Sequence, residues 1–338
     1  MLRKLSVVCC LLLLSSMAFA GGGDDKAGGS AAGGGKLNLN VGMTLEHDSH
    51  YGRGLAELKR LLELYSNGQI VLTIHPSSTQ GGERDMIESV SMGTLEMSLI
   101  STGPVPNFFP DFAALDLPYL FPTPAIAYKV LDGEIGTSLL NQMTAKGIIG
   151  LGFWENGIRH VTNSAREIKT PADLRGLKIW TMENDIHMAT YAHYGASPTP
   201  MAMGEVFIAL QQKTVDGQEN PAINILTSKL NEVQPFMSLN GVFYSPSILM
   251  FSKSVFDRMT KAQQDILVRA ANEAKNWERK YSQDNTADAV AKIKASGTLV
   301  TEVNLQQWID ASQAVYTLPA VMPKINQDLL QKIRAAAK

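Results

Sequence analysis

Arg159 stands in Asn156-Gly-Ile-Arg-His160, a cation at the end of an apolar, strand-like run. A guanidinium is a planar fork of donors that meets a carboxylate or sulfonate with parallel hydrogen bonds. At an exposed strand end the same residue makes an ion pair worth ~0–1 kcal/mol, and the residues alone leave both readings open. Asn220 precedes Pro221 in Asp216-Gly-Gln-Glu-Asn-Pro221. The proline biases it away from helix, so its amide can serve a turn or reach into a cleft. Trp180 closes Gly176-Leu-Lys-Ile-Trp180, and Met203 sits in Pro200-Met-Ala-Met-Gly-Glu205. Both side chains suit either core packing or the apolar wall of a pocket.

Other chemistry-bearing clusters read more plainly. Glu46 opens Glu46-His-Asp-Ser-His50, a metal-capable set with no second ligand group elsewhere, so a solvated loop is the better reading and no metal is expected. Glu83-Arg84 follows Gly81-Gly82 at a helix start, where anions are favoured. A surface ion pair is the default for Arg84. His75, His160, His187 and His193 show no metal spacing. The chain has no Gly-x-Ser-x-Gly elbow, phosphate loop or dinucleotide fingerprint. No catalytic residue and no cofactor is expected.

These side chains need elements to hold them. Leu37-Asn-Leu-Asn-Val-Gly-Met43 alternates like a strand, and Leu55, Leu58, Leu61, Leu62 and Tyr65 recur at helical spacing before Asn67-Gly68. Strand 70–75, helix 83–92 and strand 95–100 follow, an α/β order with a largely parallel sheet. A second unit reads as strands 148–153 and 176–180, helix 185–194 stopped by Gly195, loop 200–204, helix 205–212 and strand 242–251. Residues 260–296 are the longest helical stretch, with an apolar stripe at Ile266, Leu267, Ala270, Ala274, Trp277 and Tyr281. At ~1.5 Å per residue it spans ~50 Å, more than one small domain. It should break or bridge two lobes, and two bridged lobes make a cleft.

The chain has 338 residues, 45% of them hydrophobic, enough for one large or two ordinary cores. A formal net charge of −2 with mixed signs gives no sign of a nucleic-acid partner. Arg3 and Lys4, the apolar residues 5–14 and Ala18-Phe-Ala20 read as an export signal in residues 1–20, cleaved after Ala20. Both cysteines, Cys9 and Cys10, fall in its apolar core, so the mature chain is expected to hold none. A lipoprotein reading would need one of them as the acylated residue, with Leu11 to Leu14 at the mature start. Residues 21–36 are rich in Gly, Ala and Ser and read as a flexible linker.

Residues 156–221 also carry a resemblance. Asn156-Gly-Ile-Arg-His160, Thr170-Pro-Ala-Asp-Leu-Arg-Gly-Leu-Lys-Ile-Trp180, Thr181-Met-Glu-Asn184 and Asp216-Gly-Gln-Glu-Asn-Pro221 together resemble the DctP-type substrate-binding subunits of TRAP transporters. The likeness extends over nearly all of residues 37–320. It implies the two-lobed periplasmic binding fold, α/β in class, with a long helix bridging both lobes. Lobe 1 is then residues 37–156 and 245–284, and lobe 2 is residues 157–244 and 285–338. It implies a monomer in the periplasm that captures an organic anion and delivers it to a small and a large membrane subunit. It makes Arg159 and Asn220 ligand contacts, Met203 a pocket wall, Glu219 a structural or hinge partner, and turns Glu46 toward the cleft. The family usually has an arginine where this chain has Trp180. That exchange points away from a C4-dicarboxylate and toward one acidic group with an apolar or aromatic part, or a small sulfonate. Two other readings stay open: an exported enzyme of the same architecture, and the ligand subunit of a sensor. The enzyme would need a general base and an activated group beside Arg159.

Overall fold

Leu39, Val41 and Met43 are fully buried along the first strand, as the alternation predicts. The computed structural model describes residues 36–338. The expected export signal, the linker apart from Lys36 and both cysteines lie outside the described residues. Among the described residues the strands are β1 (Leu37–Met43), β2 (Ile70–His75), β3 (Met97–Ser101), β4 (Ile148–Asn163), β5 (Lys178–Thr181), β6 (Ser197–Pro200), β7 (Gly217–Pro221), β8 (Phe236–Ser252) and β9 (Leu299–Thr301). The α-helices are α1 (His50–Tyr65), α2 (Glu83–Met92), α3 (Pro124–Leu131), α4 (Glu134–Gln142), α5 (Asp185–His193), α6 (Val206–Gln211), α7 (Ala222–Thr227), α8 (Lys253–Phe256), α9 (Lys261–Ala295), α10 (Leu305–Ser312) and α11 (Gln327–Ala336).

The architecture is the two-lobed α/β periplasmic binding fold. The strands run in the order β2-β1-β3-β8-β4-β7-β5-β6, with β9 beside the start of β8. β2, β1 and β3 are parallel, and so are β6, β5 and β7. Between these groups lie β4 and β8, antiparallel to each other and to their outer neighbours. The expected strands 148–153 and 242–251 are therefore only parts of strands 16 and 17 residues long. The expected strand 148–153 already contains Gly150 and Gly152, and the observed one runs on through Gly157. In the structure they mark register shifts that bend β4 without ending it. Gly157 has φ +126°, and a Cβ there would lie 3.0 Å from Pro221 on β7.

Thr260 caps α9 with a capping box to Gln263, and the helix then runs 35 residues, ~50 Å at ~1.5 Å per residue. It bridges the lobes unbroken. Its buried face changes character along its length. Leu267, Ala270, Ala271 and Ala274 pack with the core of β1, β2, β3 and α1. Ala289 and Ile293 pack with Trp180, Val206 and Met237. Between them the buried residues are Lys275, Glu278, Arg279 and Ser282. Two members of the expected stripe are not core: Trp277 is 40% exposed and stacks on half-buried Tyr281 at 5.3 Å. Neither joins a core cluster, and Tyr281 borders a groove against α7.

Candidate ligand-binding site

The carboxyl ends of β1, β3, β5 and β7 converge on one cavity, the usual place for a ligand in an α/β sheet. Thr44 and Leu45 follow β1, Ser101 ends β3, Trp180 lies near the end of β5 with Met182 just beyond it, and Asn220 lies near the end of β7. Tyr51 of α1 and Glu83 of α2 add to the first wall. Met201, Ala202 and Met203, between β6 and α6, add to the opposite one. β4 runs across the floor and contributes Asn156 and Arg159.

Arg159 is neither at a strand end nor at the surface. It lies within β4, opposite Pro221 and Phe243, and is 1% exposed. Its Nε donates to Glu219 Oε2 at 2.5 Å, and one Nη donates to the Glu219 carbonyl at 2.6 Å and to Asn220 Oδ1 at 3.2 Å. Among the described residues the other Nη has no hydrogen-bond partner, and the residue lines the cavity. One edge of the guanidinium is thus bound and aimed by protein.

Behind it is a buried row of ionisable groups. The other Glu219 oxygen lies 3.1 Å from His187 Nδ1, and Asp116 Oδ1 lies 3.7 Å from His187 Nε2. Asn184 donates to Asp116 at 2.7 Å and caps α5, so His187 is placed by its own helix start. The imidazole stacks on Phe243 at 3.8 Å. Burial alone would lower the His187 pKa, but the Glu219 and Asp116 carboxylates outweigh it and raise it. Burial would likewise raise Glu219, but Arg159 and His187 hold it low.

Trp180 takes both roles offered for it. Its ring packs with Met182, Val206 and Leu210, 2% exposed, and it also lines the cavity. The indole donates to the Met201 carbonyl at 2.9 Å, which ties it to the loop carrying Met203. Asn220 is 2% exposed, and its Nδ2 donates to Gln218 at 2.6 Å. Glu46 is off the cavity wall: Ser77 donates to its carboxylate, and Ser49 donates to its carbonyl while capping α1. Its neighbours Thr44 and Leu45 line the cavity instead. Arg84 pairs with Glu88 at 3.6 Å on the surface, as its default reading has it.

Sequence reasoning passed over Tyr51, Asn156, Glu183 and Asn224, which also line the cavity, and Asp116 and His187 behind it. The Gly81-Gly82 turn before Glu83 was a usable signal, because it marks a helix start where Glu83 is the first residue. Nothing in the chain near Asp116 signals its partner, which lies on α5.

A cleft between two α/β lobes, floored by a crossing strand and spanned by a long helix, is the architecture of an extracytoplasmic solute-binding protein. The chain belongs to the bacterial extracellular solute-binding proteins of family 7, the DctP family, which it matches over residues 41–320. It is a binding protein of TRAP-type transport and not an enzyme. A solute-binding protein of Verminephrobacter eiseniae is 37% identical, over 88% of this chain and 89% of that one. A TRAP periplasmic solute-binding protein of Polaromonas sp. JS666, solved bound to D-erythronate, is 42% identical. It superposes with a TM-score of 0.85 over 89% of this chain and 99% of its own. The sugar acid binding protein of Advenella mimigardefordensis, solved with galactonate, is 33% identical, with a TM-score of 0.87 over 90% and 98%. The family and fold put the protein's site of action outside the cytoplasm.

Proposed function

We propose that the cavity takes a small organic acid and that closure of the two lobes around it prepares it for delivery to TRAP membrane subunits. One observation carries the reading: Arg159, held on one edge by Glu219, turns its other edge to the cavity. A guanidinium fixed in this way meets an acidic group without first ordering its own side chain. Asn220 bonds the same arginine and completes the polar floor. Trp180 and Met203 form an apolar wall for the body of the ligand, and Glu46 supports the loop beside it. The Polaromonas and Advenella relatives, solved with acids, support the same class. Ligand contacts from both lobes favour the closed state by population shift.

The remaining parts of the reading follow the sequence for residues 1–36 and the family for the rest. Export ends with cleavage after Ala20, and residues 21–36 form a linker. Lobe 1 comprises residues 37–156 and 245–284, and lobe 2 residues 157–244 and 285–338. The protein acts as a monomer and hands its ligand to a small and a large integral membrane subunit.

The test is a thermal-shift screen of organic acids, paired with mass spectrometry of ligand co-purified with the exported protein. An organic acid is the expected co-purified species. Trp180→Arg should gain affinity for succinate and malate, since it restores the cation the family usually has. A neutral or purely cationic co-purified ligand, or tight succinate binding by wild type with no gain in the variant, would overturn the reading.

A further inference from the structure

A second cavity lies between β4 and α9 and shares only Asn156 with the first. Its volume is about 220 Å³, well above the ~10–15 Å³ that one water needs. Part of its wall is apolar: Pro124 at the start of α3, Ile158 of β4, and Pro221 and Ile223 around the start of α7. The rest is polar, with Glu155 of β4 and Ser282, Gln283 and Thr286 of α9. Gln283 and Thr286 are exposed, so the cavity has an entrance beside α9.

Glu155 is 3% exposed, and its Oε2 accepts from the Tyr128 and Tyr244 hydroxyls. Its Oε1 has no hydrogen-bond partner among the described residues and lies 3.7 Å from where a Gly157 Cβ would stand, on the cavity wall. Arg279 does not serve that oxygen, because its two Nη atoms bind Asp132 and the Phe153 carbonyl. Glu278 and His50 also face Glu155, from α9 and α1, and burial favours the uncharged form of each. One buried carboxylate oxygen is thus turned to the cavity without a cation. Two more acceptors join it. Gln283 Nε2 donates to the Tyr128 hydroxyl, which leaves Gln283 Oε1, and the Ser282 hydroxyl has no partner among the described residues.

We propose that this cavity is a second binding site, for a small primary amine in its protonated form. An ammonium has three N–H donors and no acceptor, which matches three free acceptors of which one is charged. A short hydrocarbon body then lies against the prolines and isoleucines. An alcohol would leave the Glu155 charge buried and unpaired. A quaternary ammonium brings charge but no N–H. Calcium or magnesium takes about six oxygens or more, and the wall holds one carboxylate. The inference stands apart from the acid bound in the cleft.

The experiment is calorimetric titration of the exported protein with propylammonium chloride, tetramethylammonium chloride, calcium chloride and 1-propanol. It is run at pH 8, where Glu155 is charged, because burial lifts its pKa only to about 7. Propylammonium should bind at one site, at least ~10-fold tighter than each of the other three. Glu155→Gln keeps the size and removes the charge, and should weaken propylammonium by ~10-fold or more. Ser282→Leu fills the cavity and should abolish the binding. A wild type with no preference for propylammonium overturns the inference, and so does unchanged propylammonium binding in either folded variant. Calcium bound more tightly than propylammonium, and lost in Glu155→Gln, would mark a metal site and overturn it as well. Melting curves report folding, and if one variant fails to fold, the other and the wild-type ranking decide.

Discussion

Glu155 lies in β4 four residues before Arg159, and its Oε2 accepts from the hydroxyls of Tyr128 and Tyr244. Burial pushes its pKa from 4.5 up to about 7, against the hydrogen bonds that favour the charged form. A carboxyl with a raised folded pKa binds more protons folded than unfolded between those two values. Stability therefore falls as pH rises from about 4.5 to about 7 and levels off above. Glu155→Gln should make the protein ~1–3 kcal/mol more stable at pH 8 and bring no gain at pH 4.5. Urea unfolding at the two pH values reads this, and an equal effect at both would sink the account. Arg159 gives the opposite kind of prediction. Arg159→Met strands Glu219 as a buried charge beside His187, which should cost ~3–5 kcal/mol of stability and abolish acid binding. A variant that melts like wild type would show that the pair is not desolvated as described.

Two elements carry the geometry of the cleft, β4 and α9. The middle of α9 presents Lys275 and Arg279, 10% and 6% exposed, to Asp132 at 3.0 and 2.6 Å. Arg279 also bonds the Phe153 carbonyl, and Glu278 accepts from the Glu155 N–H at 3.0 Å. The helix is thus fastened to β4 by polar groups at the place where its apolar contacts change from one core to the other. Asp132→Ala should cost ~1–3 kcal/mol, because it leaves two nearly buried cations short of a partner. Loss of the difference in 1 M salt would instead mark the bridge as a screened surface pair. On β4, Gly157→Ala puts a side chain at φ +126° and against Pro221. It should lower the melting temperature and weaken ligand binding by ~10-fold through Arg159, two residues on. Unchanged affinity in calorimetry would separate the bend of β4 from the placement of Arg159.

For the molecule as a whole, binding to the folded state adds stability as RT ln(1 + [L]/Kd), ~2.7 kcal/mol at one hundred times Kd. A saturating ligand should therefore raise the melting temperature by several degrees. If it binds by closing the lobes, small-angle scattering should show the radius of gyration falling on the same titration. A rise in melting temperature with no change in radius would argue for binding to a cleft that is already closed.

Much of this was legible in the sequence by itself. Period-two and period-3.6 patterns report whether one side of an element is buried, so β1, α1, β2 and α2 read correctly. The motifs of residues 156–221 carried the family, and Arg159, Trp180, Asn220 and Met203, singled out there, do line one cavity. The tertiary structure alone decided the rest. Periodicity cannot tell that β4 and β8 continue through glycines, because pairing with neighbouring strands holds them extended. It cannot tell that Trp277 and Tyr281 stay out of the core, because that depends on where α9 touches each lobe. The charge balance of the cleft was hidden for the same reason. Arg159 meets a partner 60 residues away in Glu219, and Glu83 is held by Ser101, 18 residues away on another element. Electrostatic partners are set by distance in space, and only the folded register of the strands brings these groups together.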